Sequence, residues 1–143
     1  LSGRRMNDNM PIHLVSRIIK KLLSNNNLSQ TKTALILGAT FKENCPDLRN
    51  SKVFDIFQSL DETGMEICIH DPLASPSMVE TIYNKNTVSN VDSCGLFDLV
   101  ILAVPHKYYQ SKGAAYFRKL LNTNGIFADL KSYFKKEESD FRI

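Results

Sequence analysis

Two uninterrupted apolar runs, Thr33-Ala34-Leu35-Ile36-Leu37-Gly38 and Asp98-Leu99-Val100-Ile101-Leu102-Ala103-Val104, constrain this chain more than any other feature. A strand with one wet face alternates apolar and polar residues. A run without alternation is a strand covered on both faces, the situation of a parallel sheet lying between helices. Residues 65–70 and 126–130 read as further strands, the first closed by Asp71-Pro72, and Thr87-Val88-Ser89 as a short one. Helical spacing fills the gaps. Over residues 51–63, Val53, Phe54, Ile56, Phe57 and Leu60 share a face, Asn50 or Ser51 is the N-cap, and Gly64 is the C′ glycine. Residues 77–83 and 114–121 give two further helices. Strands alternating with helices at this spacing are βαβ units with right-handed crossovers. The predicted fold is α/β: a doubly wound, mostly parallel Rossmann-like sheet with helices on both faces.

An additional helix precedes this unit. In residues 10–23, Ile12, Val15, Ile18, Ile19, Leu22 and Leu23 recur at three- and four-residue steps, with Arg17, Lys20 and Lys21 outward. Ser24-Asn25-Asn26-Asn27 stops it. The organisation is therefore a helix over 1–24, a linker over 25–32 and an α/β domain over 33–143. The helical pattern runs almost to the first residue and the chain opens Leu1-Ser2-Gly3 without an initiating Met, so a fragment of a longer protein is expected. Its 143 residues suit one domain. Eighteen basic against fifteen acidic residues leave +3, spread too evenly for a nucleic-acid or membrane-surface protein. No apolar run approaches a bilayer span. Three cysteines without a Cys-x-x-Cys spacing argue against a disulfide framework and a structural zinc, and for a reducing, cytoplasmic location.

In such a sheet the ligand crevice lies beyond the carboxyl ends of the strands. Those ends deliver Phe41, Lys42 and Arg49, then Asp71, then His106 and Lys107, then Asp129 and Lys131. A rim rich in cations suits an anionic ligand such as a diphosphate, although any α/β domain ends its strands in polar residues. A glycine-rich phosphate cradle is missing. Gly38-Ala39-Thr40-Phe41-Lys42-Glu43 has one glycine where the dinucleotide fingerprint needs three, so side chains rather than backbone would hold phosphate here. Cys45 lies between Lys42 and Arg49, whose charges favour a thiolate, but no histidine is near it in sequence and a lone loop cysteine is more often incidental. Cys68 reads as a packing residue and Cys94 as a turn residue. His106 at a strand end is better suited to capping the next helix or bonding a carbonyl than to acting as a base. Asp47 can pair with Arg49, sit near a helix N-terminus, or do both.

The stretch Leu35-Ile36-Leu37-Gly38-Ala39-Thr40-Phe41-Lys42 followed by Asp47-x-Arg49-x-Ser51 resembles the C-terminal domain of the UDP-glucose/GDP-mannose dehydrogenase family. Met6-Asn7-Asp8, His70-Asp71-Pro72 and Leu102-Ala103-Val104-Pro105-His106 agree with it in order, so the resemblance covers nearly the whole chain. The loop Glu43-Asn44-Cys45-Pro46-Asp47-Leu48-Arg49-Asn50-Ser51 is most similar to the bacterial branch acting on UDP-N-acetylhexosamines, which makes uronic acids for capsules and related polysaccharides. The resemblance implies an oxidoreductase that converts a sugar C6 alcohol to a carboxylate in two NAD-dependent steps through a cysteine thiohemiacetal. It places that cysteine and the main NAD site in upstream domains, the first helix at the end of a central dimerisation segment, and a homodimer in the full-length protein. It implies that Phe41 and Lys42 meet the UDP-sugar, that Arg49 reaches the cofactor, and that Lys131 contacts substrate. Where the family often has Asp-x-Lys-Gly, this chain has Asp129-Leu130-Lys131-Ser132.

Three other readings predict different behaviour. A free-standing nucleotide or sugar-phosphate module would share the fold and bind ligand in isolation. A structural dimerisation module would bind none. A receiver domain needs acids after the first strand, where this chain has Phe41-Lys42.

Overall fold

The computed structural model describes residues 2–25, 32–49, 51–85 and 87–142, with backbone only for 2–11 and 25. Five strands form one sheet: β1 (Thr33–Leu37), β2 (Glu66–His70), β3 (Phe97–Leu102), β4 (Leu121–Asp129) and β5 (Phe141–Arg142). Their order is β2-β1-β3-β4-β5 and every pairing is parallel. The helices are α1 (Ser2–Asn25), α2 (Lys52–Asp61), α3 (Pro76–Tyr83), α4 (Lys107–Gln110) and α5 (Ala114–Arg118).

The two apolar runs lack alternation because each face has its own core. Ala34, Ile36, Leu99, Ile101, Ile126 and Ala128 point to the side covered by α1, α2 and α3, where they meet Val15, Ile18, Leu22, Ile56, Leu60 and Val79. Their neighbours Leu35, Leu37, Val100, Leu102 and Phe127 point the other way, onto Tyr109, Phe117 and Leu120. The period of two thus survives as an alternation between two dry faces.

Several boundaries differ from the sequence reading. Residues 87–89 make only one isolated bridge, Thr87 to Ile69. Asn84 ends α3 in a left-handed turn at φ 56°, and the segment then meets the edge of β2 through a single backbone bond, from the Val88 amide to the Ile69 carbonyl. The helix at 114–121 ends at Arg118, and β4 begins at Leu121, five residues ahead of the expected 126. The last ten residues, unassigned from sequence, supply the edge strand β5, because Asp140 anchors them by accepting the Phe127 amide at 2.9 Å. Ser51 is the N-cap of α2, its Oγ accepting from the Val53 amide at 3.2 Å, while Asn50 lies outside the described residues. Gly64 takes φ 86° but stands at C″ rather than the expected C′, because the C-cap is Glu62. Most of the expected linker, residues 26–31, also lies outside the described residues.

Gly38 directly follows β1 and packs closely against the backbone of Val104. It adopts φ 92°, and a Cβ there would sit 2.7 Å from both the Cβ and the carbonyl oxygen of Val104. Left-handed backbone and close approach both demand glycine. Gly38→Ala is therefore expected to lose about 2–6 kcal/mol, backbone strain and overpacking together. Gly64→Ala, also left-handed but with nothing within 4 Å, should lose only about 1–2 kcal/mol. Urea denaturation of the two variants side by side measures the contrast.

Candidate functional site

Strand order reverses at β1, which has β2 on one side and β3 on the other, so the crevice of this sheet opens between the carboxyl ends of β1 and β3. The segments that leave those ends, residues 38–51 and 103–107, are stapled together by a buried polar cluster centred on Asp71. Its side chain and that of His106 are 0% and 1% exposed. Asp71 Oδ2 accepts from the Ala39 amide at 2.7 Å and from His106 Nε2 at 3.0 Å. Oδ1 accepts from the amides of Leu73 and Ala74 at 2.8 and 3.0 Å, an Asx turn of the kind that Asp-Pro sequences favour. Burial works to raise this carboxyl, but the His106 bond and the Ala39 and Leu73 amides outweigh it and hold Asp71 below the usual carboxylate range.

The other side of the His106 ring fixes the β1–α2 loop. Nδ1 accepts from the Asn44 amide at 2.9 Å, which places the ring proton on Nε2, facing Asp71 and Thr40 Oγ1 at 3.2 Å. Asn44 sits at φ 62°, a left-handed conformation that asparagine tolerates, and its Oδ1 accepts from the Lys107 amide at 2.9 Å. Thr40 donates to the Lys42 carbonyl, Ser51 to the Thr40 carbonyl, and Tyr83 to the Ala39 carbonyl, at 3.1, 3.2 and 3.2 Å. His106 does hold the N-cap position of α4, its carbonyl accepting from the Tyr109 and Gln110 amides, but its ring makes no capping bond and meets no carbonyl; the ring joins three segments and contacts only groups of the fold.

With the floor buried, the outer loop faces solvent. Phe41 is 53% exposed, and Lys42 is exposed beside it. Arg49 is exposed and forks onto Asp47, Nε to Oδ1 at 3.1 Å and Nη2 to Oδ2 at 3.2 Å, with its amide on the same carboxylate at 2.9 Å. The Arg49 side-chain bond lowers the Asp47 carboxyl. Among the described residues the Cys45 thiol has no hydrogen-bond partner, Cys68 packs against the α5-side core, and Cys94 is an exposed turn residue.

Lys131 is exposed just beyond β4, two strands and so about 10 Å from β1. Its turn keeps the geometry a glycine would give, because Ser132 itself adopts φ 52°. The turn is held from beneath by buried Asp129, which accepts from the amides of Tyr133 and Phe134 at 3.1 and 2.7 Å. Two of the rim acids read from sequence, Asp71 and Asp129, are therefore spent inside the fold, while Lys42, Arg49, Lys107 and Lys131 stay outside; Glu43 and Asp47 are the acids that share the loop. Sequence reading found Phe41 but missed the rest of the apolar side of this rim, Leu73, Tyr108 and Tyr133. Phe41, Leu73, Tyr108 and Tyr133, four of the eight exposed large apolar residues among those described, each follow the end of a different strand. The tell-tale is an apolar residue three to six positions after a strand that ends in solvent.

The backbone amides at the end of β1 are already used: Gly38 donates to His70, Ala39 to Asp71 and Phe41 to Asp47. These three amides are therefore not available as a cradle for a dinucleotide pyrophosphate.

A five-stranded parallel sheet with a cation-and-aromatic rim at its switch point defines a nucleotide-binding class of α/β domain. The sequence matches the profile of the "UDP-glucose/GDP-mannose dehydrogenase family, UDP binding domain" over residues 35–136, and the chain belongs to that family. It is 38% identical over its full length to a UDP-N-acetyl-D-glucosamine 6-dehydrogenase of Pseudomonas aeruginosa, covering 34% of that protein. It is 37% identical over 96% of its length to Protein CapL of Staphylococcus aureus, covering 32% of it. The chain thus spans about a third of the curated relatives it matches. Among solved structures, a UDP-D-ManNAc dehydrogenase from Pyrococcus horikoshii superposes with a TM-score of 0.77 at 19% identity, over 96% of this chain and 31% of that one, and shows the same fold.

The Asp71 cluster makes a pH-dependent contribution to stability. A carboxyl held below its ordinary value stabilises the fold fully above about pH 4, and that contribution fades as pH falls through the lowered native value. Asp71→Asn should therefore be destabilised by about 1.5–3 kcal/mol at pH 7. The gap to wild type should hold down to about pH 5 and narrow below pH 4. Chemical denaturation across that range measures it.

Proposed function

We propose that this chain is the substrate-binding C-terminal domain of an NAD-dependent UDP-sugar 6-dehydrogenase, an enzyme that oxidises the C6 alcohol to a uronic acid for capsular or surface polysaccharide biosynthesis. Residues 1–24 are the end of a central dimerisation helix, 25–32 a linker and 33–143 the UDP-sugar domain. The nucleophilic cysteine and the main NAD site belong to other domains of a cytoplasmic homodimer. Nucleic acid and membrane are not partners. Among the described residues no helix is long and apolar enough to cross a membrane.

One observation carries this reading. A member of this family presents exposed Phe41 and Lys42 from a loop whose floor is locked by Asp71 and His106, at the switch point of its sheet. An aromatic face suits a base or sugar ring, and cations suit a diphosphate. Lys131 extends the same rim two strands further. Arg49, outermost on the loop, is the residue placed to reach a cofactor held by another domain. Its Asp47 partner holds the planar guanidinium fork in one orientation. The hexosamine branch of the family is the favoured substrate class, since the Pseudomonas relative is a UDP-N-acetyl-D-glucosamine 6-dehydrogenase.

In the full-length enzyme carrying this domain, Lys42→Ala should lower kcat/KM for the UDP-sugar by the roughly 1.5–3 kcal/mol of a charge-assisted bond, about tenfold to more than a hundredfold. Arg49→Ala should raise the KM for NAD, and Arg49→Lys should not restore it, because a point charge cannot reproduce the planar fork. If Arg49 serves only to hold Asp47, both variants will lower Tm and leave the KM for NAD unchanged, which refutes the cofactor role.

The 143-residue chain alone should form no NADH from a UDP-sugar and NAD. It should bind the sugar nucleotide weakly or undetectably by calorimetry. Activity abolished by Cys45→Ser would reassign the nucleophile to this loop, and sub-micromolar binding would favour a free-standing module.

A further inference from the structure

The cations of this chain are not confined to the rim. A cleft of about 470 Å³ lies on the flank of β5 where α1 crosses the sheet edge, lined by Arg17, Lys20 and Lys21 from α1 and by Lys136, Ser139 and Arg142 from the C-terminal segment. β4 separates β5 from the β1/β3 crevice. Five basic side chains meet here, more positive charge than the net +3 of the entire chain. The single acid in the lining, Asp140, is already committed. Its carboxylate is gripped by Arg118 at 3.1 and 3.2 Å and by the Phe127 amide at 2.9 Å. Glu137 and Glu138 flank Lys136 in sequence but do not line the cleft, and Glu138 is turned back onto the Lys135 amide at 3.2 Å.

Three of the cations are held in place by groups that neutralise none of their charge. Arg17 lies over the Phe141 ring, 4.9 Å from its centroid. Lys21 donates to the Asp140 carbonyl, and Arg142 Nε donates to Ser132 Oγ at 3.1 Å. Lys20 and Lys136 have no carboxylate partner among the described residues. Positioned like charges in a concave site repel one another and focus a field that an anion relieves.

A second observation is independent of charge. Ser139 Oγ is the one buried side-chain polar atom among the described residues that lacks a hydrogen-bond partner, and Ser139 lines this cleft. A buried hydroxyl left unpaired opposes folding, and such groups in native structures call for an explanation. A ligand oxygen supplies one.

We propose that this cleft is a second anion site, separate from the sugar-nucleotide rim, for a multiply charged phosphate group: a free phosphate chain or the polyphosphate tail of a nucleotide. The cations surround the phosphate oxygens, and Ser139 donates its hydroxyl to one of them. The volume is that of a small-molecule site.

Titrating the isotope-labelled 143-residue chain at low salt with inorganic pyrophosphate, and in parallel with ADP, followed by NMR, tests this. Saturable shifts are expected at the Lys136, Ser139 and Phe141 amides. Similar affinities for the two anions identify a free phosphate chain, and tighter ADP binding identifies a nucleotide. Lys20→Glu combined with Lys136→Glu should weaken binding at least about tenfold; both residues are solvent-exposed, so the fold is retained. Ser139→Ala should weaken binding without lowering Tm, since its hydroxyl has no bond to lose. Lys42→Ala should leave these shifts as in wild type. Absence of saturable shifts at the cleft, unchanged affinity after charge reversal, or binding that is lost with Lys42 would each overturn the proposal.

Discussion

The carboxylate of Asp71 is the point on which the functional end of this domain depends. One side chain, fully out of solvent, takes hydrogen bonds from the first residue after Gly38, from two residues of its own turn and from the histidine that follows β3. A buried carboxylate is tolerable only when its lone pairs are met, and here backbone amides and an imidazole meet them. The consequence is geometric. The ends of β1, β2 and β3 are tied to one another, and the loop carrying Phe41 and Lys42 inherits a fixed floor. His106 passes the constraint on through Asn44, whose left-handed backbone lets its amide reach the ring while its side chain holds the Lys107 amide. Such a network is rigid only while every member is satisfied.

The same principle separates charge at the carboxyl edge of the sheet. Asp71 and Asp129 lie inside, each neutralising orphan amides of the turn it starts, whereas the lysines lie outside where their ammonium groups stay hydrated. The rim is therefore cationic although the strand ends carry acids as well as bases. Exposed Phe41, Leu73, Tyr108 and Tyr133 add apolar faces to it. The chain's family model is described as a UDP binding domain, and at this rim the groups open to a ligand are side chains, since the amides at the end of β1 are occupied.

Separation of roles extends to the far edge. β5 is a two-residue strand that blunts the sheet's open side, and the α1 cations packed along it give that edge a positive charge of its own, apart from the rim's. The two basic regions differ in construction. The rim rests on buried carboxylates, whereas the cleft rests on cations held by a ring, a carbonyl and a hydroxyl.

Much was legible in sequence because it depends on local period and local chemistry. Two unalternating runs of Leu, Ile and Val require a sheet covered on both faces whatever the rest of the chain does, and the spacing of Val53, Ile56, Phe57 and Leu60 requires a helix with one buried side. The family's loop from Phe41 to Ser51 could be recognised for the same reason, since all its residues lie within one short segment. What only the tertiary structure decided involves partners far apart in the chain. Strand order, the addition of β5, the short bridge at Thr87 and the burial of Asp71 with His106 each depend on contacts across tens of residues, for which no periodicity exists to read. A histidine at a strand end looks alike as cap, base or latch until the carboxylate 35 residues away is found within 3.0 Å of its Nε2. Likewise Arg17, Lys20 and Lys21 are an ordinary outward helix face by sequence, and become a cleft only because the chain's last residues return beside them.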